Sequence, residues 1–150
     1  ACEYGAKLER AVMLSKADLT TQMVYEFTEL QGVMGAYYAK AKNEDENVVL
    51  AIKEQYLPDG EEAQCPSKVF SSVVALSNKL DTLMGLFSIG KIPSGTKDPY
   101  ALRRAANGVI KIVLAHNLKF NVKEILEDIA NEYKKFDVEV LINFILDRLY

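Results

Sequence analysis

The chain has 150 residues, of which 49% are hydrophobic and 26% charged, with a formal net charge of -3 and a sequence pI near 5.3. A domain of that length buries roughly 68–70% of the surface its unfolded form exposes, so the balance is that of a folded chain with a real core and not of a disordered one. No apolar run approaches the ~20 residues that span a bilayer, the N-terminal segment ACEYGAKLER is no secretory signal, and the acidic balance argues against non-specific nucleic-acid binding by the chain as a whole while allowing a local basic patch.

Taken in chain order, apolar residues recur at helical spacing, and no stretch alternates with period two for long enough to suggest a sheet. Leu8, Ala11, Val12 and Leu14 predict a first helix running towards Ser15. Asp18 and Leu19 open a second segment through Met23, Val24 and Phe27. Leu30, Val33, Met34, Tyr37, Tyr38 and Ala41 share one helix face. Asn43 with Glu46 three residues on is a capping-box start for a helix carrying Val48, Val49, Ile52 and Tyr56, which Pro58, Asp59 and Gly60 stop.

A polar, acidic loop follows from Pro58 to Pro66. Ser67 is the expected N-cap of a long helix bearing Val69, Val73, Leu76, Leu80, Leu83 and Phe87, and Gly90 ends it. The segment IPSGTKDP, with two prolines and a glycine, is the clearest connector. Asp98 as N-cap and Pro99 at the first helical position predict the next helix, with Leu102, Ala105, Ala106, Val109, Ile110 and Val113 inward. Asn121 with Glu124 repeats the capping signature before Ile125, Ile129 and Tyr133. Asp137 opens a last helix with Val140, Leu141, Phe144 and Ile145. The reading is an all-α bundle of about seven or eight helices, with no repeat and no low-complexity tract.

Little in the sequence points to catalysis. His116 is the only histidine, which removes schemes needing two imidazoles, and it sits where a helix-end residue meets the last carbonyls. Cys2 and Cys65 show no zinc or redox spacing, and free thiols fit a reducing, cytoplasmic compartment. Neither GxxxxGK[ST] nor GxGxxG is present. The catalytic and metal sets are therefore expected to be empty. The sequence does gather Lys91, Lys97, Arg103, Arg104 and Lys111 within 21 residues that contain one acid, Asp98. Arg103, Asn107 and Lys111 fall four residues apart, as a stripe opposite the apolar face. SGTKD at Ser94 to Asp98 adds backbone N–H groups near a helix start, where a phosphate is favoured. An ordinary wetted helix face would look the same, so both readings stand. The N-terminus has no initiator Met and the chain closes on the helical pattern FILDRLY, so both ends read as cuts through a longer polypeptide.

Several blocks in order, KADL at Lys16 to Leu19, ELQGVMG at Glu29 to Gly35, IKEQYLP at Ile52 to Pro58, KLDTLMGLF at Lys79 to Phe87 and KDPYALRRA at Lys97 to Ala105, resemble the beta subunit of the bacterial two-subunit glycyl-tRNA synthetase. The resemblance covers nearly the whole chain. It implies an alpha2beta2 ligase that joins glycine to tRNA(Gly), with ATP and Mg used by the whole enzyme and no cofactor in this chain. It also implies that the adenylate site lies in the alpha subunit, and that the partners are that subunit, the tRNA and the remaining beta domains, with no membrane and no DNA.

By the same resemblance, residues 1–92 correspond to an HD-like helical core, and 93–150 to further helices that complete the domain and lead towards an anticodon-binding domain. HD hydrolases hold a cation through His, a His-Asp pair and a later Asp. Here Ala41 and Lys42 stand where the pair would be, Tyr37 offers no imidazole, and Asp81 alone resembles the terminal acid. A lysine in place of a metal-binding carboxylate places positive charge where the cation would sit. The expectation is a fold reused for binding, with Lys91, Lys97, Arg103, Arg104 and Lys111 on RNA. The alternatives are a scaffold that contacts the alpha subunit without touching RNA, and an HD-type metal phosphohydrolase.

Overall fold

A computed structural model describes residues 2–133 and 136–149, the side chains of Cys2 and Glu3 excepted. Among the described residues the chain is all-α: α1 (Cys2–Leu14), α2 (Gln22–Glu26), α3 (Val33–Ala41), α4 (Glu46–Glu54), α5 (Val69–Ser88), α6 (Leu102–Ala115), α7 (Val122–Ala130) and α8 (Val138–Leu146). Two 3-10 turns, Ala17–Thr20 and Thr28–Leu30, flank α2. No helix of the described residues is long and apolar enough to cross a membrane. The chain divides into two compact units, Ala1–Leu57 with Gln64–Ala75, and Pro58–Ala63 with Leu76–Tyr150, and α5 runs through both.

In the first unit α4 packs against α1 and α3. Small residues allow the close approach: Ala11, Ala36, Ala39 and Ala51 are buried with Val48, Ile52, Phe70 and Val74. Tyr4 meets Phe70 edge-on, centroids 5.4 Å apart. Full burial of a side chain such as Phe70 or Ile52 stabilises the fold by roughly 1.5–3 kcal/mol. Asp18, 1% exposed, organises the unit's polar interior. Its Oδ2 accepts from the amides of Gly32 at 2.6 Å and Gly35 at 3.1 Å, the N-cap and third residue of α3. A carboxylate at that helix end meets otherwise unpaired N–H groups and the positive end of the helix dipole. The two amides belong to glycines that are needed for different reasons. Gly32 has φ of +79°, and a Cβ on Gly35 would lie 3.1 Å from Asp18 Oδ2 and 3.0 Å from Ile52. The KADL and ELQGVMG blocks are thus two halves of one device.

Helix ends correct several sequence expectations. Asn43 does not start α4. It has φ of +58° and follows α3, with Asn43 N–H on the Lys40 carbonyl and Glu44 N–H on that of Ala39. Those two bonds define a Schellman C-cap, which Asn tolerates better than other side chains. Asp45 caps α4 instead, accepting from Asn47 N–H at 2.9 Å. Gly90 closes α5 and Asn117 closes α6 in the same way. The segment that Asp18 and Leu19 open is a 3-10 turn, Ala17–Thr20, and α2 follows it with Thr21 as its N-cap. Ser67 is no N-cap: its amide donates to Glu54 Oε2 at 3.0 Å and α5 begins two residues later. Asn121 and Asp137 do cap α7 and α8, and His116 does stand at the end of α6.

The inward faces also shift. Tyr37 and Tyr38 of α3 are exposed while Gly35, Ala36 and Ala39 are buried. On α5, Phe70 and Val74 face inward in place of Val69 and Val73, and Leu76, Leu80, Leu83 and Phe87 are buried as expected. In the second unit α8 packs on α6 and α7. Its buried side chains include Leu102, Ala106, Val109, Ile112, Leu126, Leu141 and Ile145, and Phe87 meets Phe144 at 5.2 Å. Ile112 and Leu126 take the inward places expected of Val113 and Ile125, and Val140 and Ile129 are exposed.

Candidate nucleic-acid interface

The five cations of the sequence reading all lie in the second unit, around α6. The connector 91–101 reaches this helix through a turn closed by Ala101 N–H on the Asp98 carbonyl. Ala101 itself is left-handed at φ of +55°, and it is the formal N-cap. A left-handed alanine cannot cap through its side chain, so Asp98 caps from three residues back. Its two carboxylate oxygens accept from Leu102 N–H at 2.8 Å and Arg103 N–H at 2.9 Å. The expected capping residue is therefore right, but Pro99 lies in the turn before the helix and not at its first position.

The cations divide by what they touch. Arg103 turns back onto the connector, donating to the carbonyls of Lys97 at 2.9 Å and Gly95 at 2.5 Å. Lys111, half-buried, donates to the carbonyls of Gly60 at 3.3 Å and Glu61. Both side chains thus clamp loops with donors that carbonyls satisfy. Arg104 is 66% exposed and 3.8 Å from Asp59, a pairing that at the surface contributes little. Lys97 is exposed, and Lys91 reaches over the ring of Tyr100 at 5.9 Å from its centroid.

Tyr100 escaped the sequence reading. Its signal was an aromatic placed between two lysine-bearing segments and an arginine pair, in KDPYALRR. It is 48% exposed, and with Lys91, Lys97, Ile92, Pro93 and Pro99 it borders a recess of about 320 Å³. Such an arrangement combines exposed positive charge with a flat aromatic face, the two elements that hold a single-stranded nucleic acid.

The residues that the sequence resemblance sets against an HD-type cation site fall in both units. Ala41 and Lys42 end α3, with Lys42 its C-cap, and Tyr37 is exposed. Lys42 borders a cavity of about 420 Å³ with Arg10, Tyr38, Glu44 and Asp18. Arg10 holds Glu44 at 2.5 Å, and its hydrogen bond keeps the Glu44 carboxyl below the usual carboxylate range. Asp81, in the other unit, is exposed and accepts from the Tyr133 hydroxyl. Burial, then the bond to Asp81, pushes the Tyr133 phenol up to about 12. No group of three or more His, Cys, Asp or Glu side chains among the described residues is placed to hold a metal. Cys65 is a free thiol, and the side chain of Cys2 lies outside the described residues.

Fold and candidate site together describe a chain that is all-α among the described residues, with exposed Lys91, Lys97 and Arg104 on one helix and the loop before it. Residues 2–150 match the family described as glycyl-tRNA synthetase beta subunit, and the chain belongs to that family. It is 56% identical to the glycine–tRNA ligase beta subunit of Helicobacter pylori (strain Shi470) over 93% of its own length and 20% of that protein's. It is 47% identical to the glycine–tRNA ligase beta subunit of Trichodesmium erythraeum over 98% of the chain and 21% of the relative. The protein of that name from Haemophilus influenzae is 47% identical over 92% and 19%. The chain spans about a fifth of the length of the curated relatives it matches.

Proposed function

We propose that this chain is a non-catalytic, tRNA-binding part of the beta subunit of an alpha2beta2 glycine–tRNA ligase, supporting ATP-dependent attachment of glycine to tRNA(Gly) in the cytoplasm. The observation that carries the reading is the family match across residues 2–150. The exposed cations at Lys91, Lys97 and Arg104 supply the chemistry. Each can neutralise an RNA phosphate and release its counterion, which gives affinity without reading sequence. Arg103 and Lys111 serve the same surface indirectly, by fixing the loops that border it. The reading implies an HD-like architecture over 1–92, continued by the helices of 93–150, with the alpha subunit and the remaining beta domains as partners. ATP and Mg belong to the whole enzyme, and no residue of this chain is assigned to them.

The test is a hydroxyl-radical footprint of the two-subunit enzyme on its tRNA. Lys97→Glu with Arg104→Glu should remove protection from one stretch of the tRNA backbone and leave the rest. An unchanged footprint from a normally folded variant would overturn the reading.

A scaffold that meets the alpha subunit without touching RNA is the second reading. It is favoured by the exposed apolar side chains of the first unit, with Met13 69%, Tyr25 79%, Phe27 51% and Tyr37 65% exposed. An RNA-free pull-down between the subunits, with Tyr25→Ser and Phe27→Ser, separates the two. Loss of alpha-subunit capture with an intact footprint would establish the scaffold role for that face.

A further inference from the structure

We infer that the recess bordered by Tyr100, Lys91 and Lys97 receives one unpaired nucleotide of the bound RNA, its base stacked on the Tyr100 ring and its phosphates on the two lysines. The inference rests on the RNA-binding reading above and names the contact within it. Three observations carry it.

The first is the division of labour among the cations. Arg103 is engaged by the carbonyls of Gly95 and Lys97, and Lys111 by those of Gly60 and Glu61, so both spend donors on holding loops. Lys91 and Lys97 remain exposed at the rim. The second is the aromatic surface. Tyr100 is 48% exposed, and its recorded ring partner is the Lys91 ammonium at 5.9 Å, near the outer limit of a cation–π contact. A nucleobase can take the ring face and leave that ammonium for an adjoining phosphate. The third is the size and support of the recess. At about 320 Å³ it lies at the small end of ligand cavities, and its walls include Pro93 and Pro99, whose backbone is already restricted. Asp98 and Arg103 hold the loop against α6, so little ordering is needed on binding. Arg103 is then a positioning residue.

Stacking and charge leave different marks on binding. A stacked base contributes affinity that salt does not screen, whereas each neutralised phosphate adds to the salt slope. The experiment measures equilibrium binding of a tRNA transcript by the assembled two-subunit enzyme across a series of KCl concentrations. Tyr100→Ala should weaken binding roughly 5- to 150-fold at every salt with an unchanged slope. Tyr100→Phe should keep wild-type affinity. Lys91→Gln and Lys97→Gln should each flatten the slope by about 0.7. Because Tyr100→Ala could loosen the loop, a Tyr100→Trp enzyme supplies an independent readout: its added emission over the unsubstituted enzyme should be quenched by the transcript. Excess free AMP should not cause that quench.

If the lysine variants flatten the slope while Tyr100→Ala binds normally or Tyr100→Trp is not quenched, the stacking site is wrong and the RNA-binding reading survives. If AMP alone quenches, the recess is a mononucleotide site and the inference fails. If no variant changes binding or slope, both fall together.

Discussion

At the scale of single residues, two buried polar contacts decide much of the fold. Asp18 holds two amides at the start of α3 with one oxygen. Asp18→Ala would strand both N–H groups in a buried site. Each hydrogen bond to a charged group contributes about 1.5–3 kcal/mol, so the expected loss is roughly 3–5 kcal/mol in denaturant unfolding, with Asp18→Asn intermediate. A loss below about 1 kcal/mol would mean that the carboxylate is not the organiser described. Glycines separate by what their missing side chains would meet. At Gly35 an added Cβ would be forced against Ile52 and Asp18, so Gly35→Ala should destabilise by roughly 1–3 kcal/mol despite alanine's higher helix propensity. At Gly108 the neighbour is the far end of Lys79, with Cε 2.5 Å from the ideal Cβ position, and a flexible chain end can move aside. Gly108→Ala should therefore lie within about 1 kcal/mol of the parent. Thermal melts of the two variants side by side would test the contrast, and a reversed order would refute it.

At the scale of elements, the ends of helices carry more information than their middles. Asp98 and Arg103 form a reciprocal lock, with the carboxylate on the first amides of α6 and the guanidinium on the carbonyls of the connector. Asp98→Ala should cost about 1–2 kcal/mol and raise hydrogen exchange at Leu102 and Arg103. Arg103→Lys cannot reproduce the fork, so it should raise exchange in 95–98 while leaving α7 and α8 unchanged. Equal exchange in parent and both variants would show the connector to be held by something else.

The same ends explain what was legible in the sequence. Helix number and all-α class follow from periodicity, and Asn121 and Asp137 act as their types suggest. Asn43 misled because one residue type favours both an N-cap and a left-handed C-cap, and only the chain's path decides between them. Val69 and Val73 misled because α5 is apolar on more than one side, so spacing alone leaves the inward face open. Among the site residues, the clustering of five cations was visible in sequence. That Arg103 and Lys111 bind carbonyls was not, because Lys111 meets a loop 50 residues away in sequence. Tyr100 carries no periodic signal in its loop, and it is its exposure that gives it a candidate role.

At the scale of the whole molecule, the chain joins an acidic overall balance to a local group of cations in its second unit. A net charge of -3 limits indiscriminate attraction to nucleic acid, so the proposed tRNA binding must come from placed contacts. These contacts are proposed to serve tRNA binding, with glycine activation proceeding without them. The most direct measurement compares tRNA affinity at several salt concentrations with glycine-dependent pyrophosphate exchange, in the two-subunit enzyme carrying Lys97→Glu and Arg104→Glu. Helicity and melting temperature are matched to the parent first. Affinity should fall at least tenfold at low salt and the salt slope should flatten by about 1.4, roughly 0.7 for each lost phosphate contact, with pyrophosphate exchange unchanged. A folded double variant that binds tRNA as the parent does at every salt concentration would contradict that proposal.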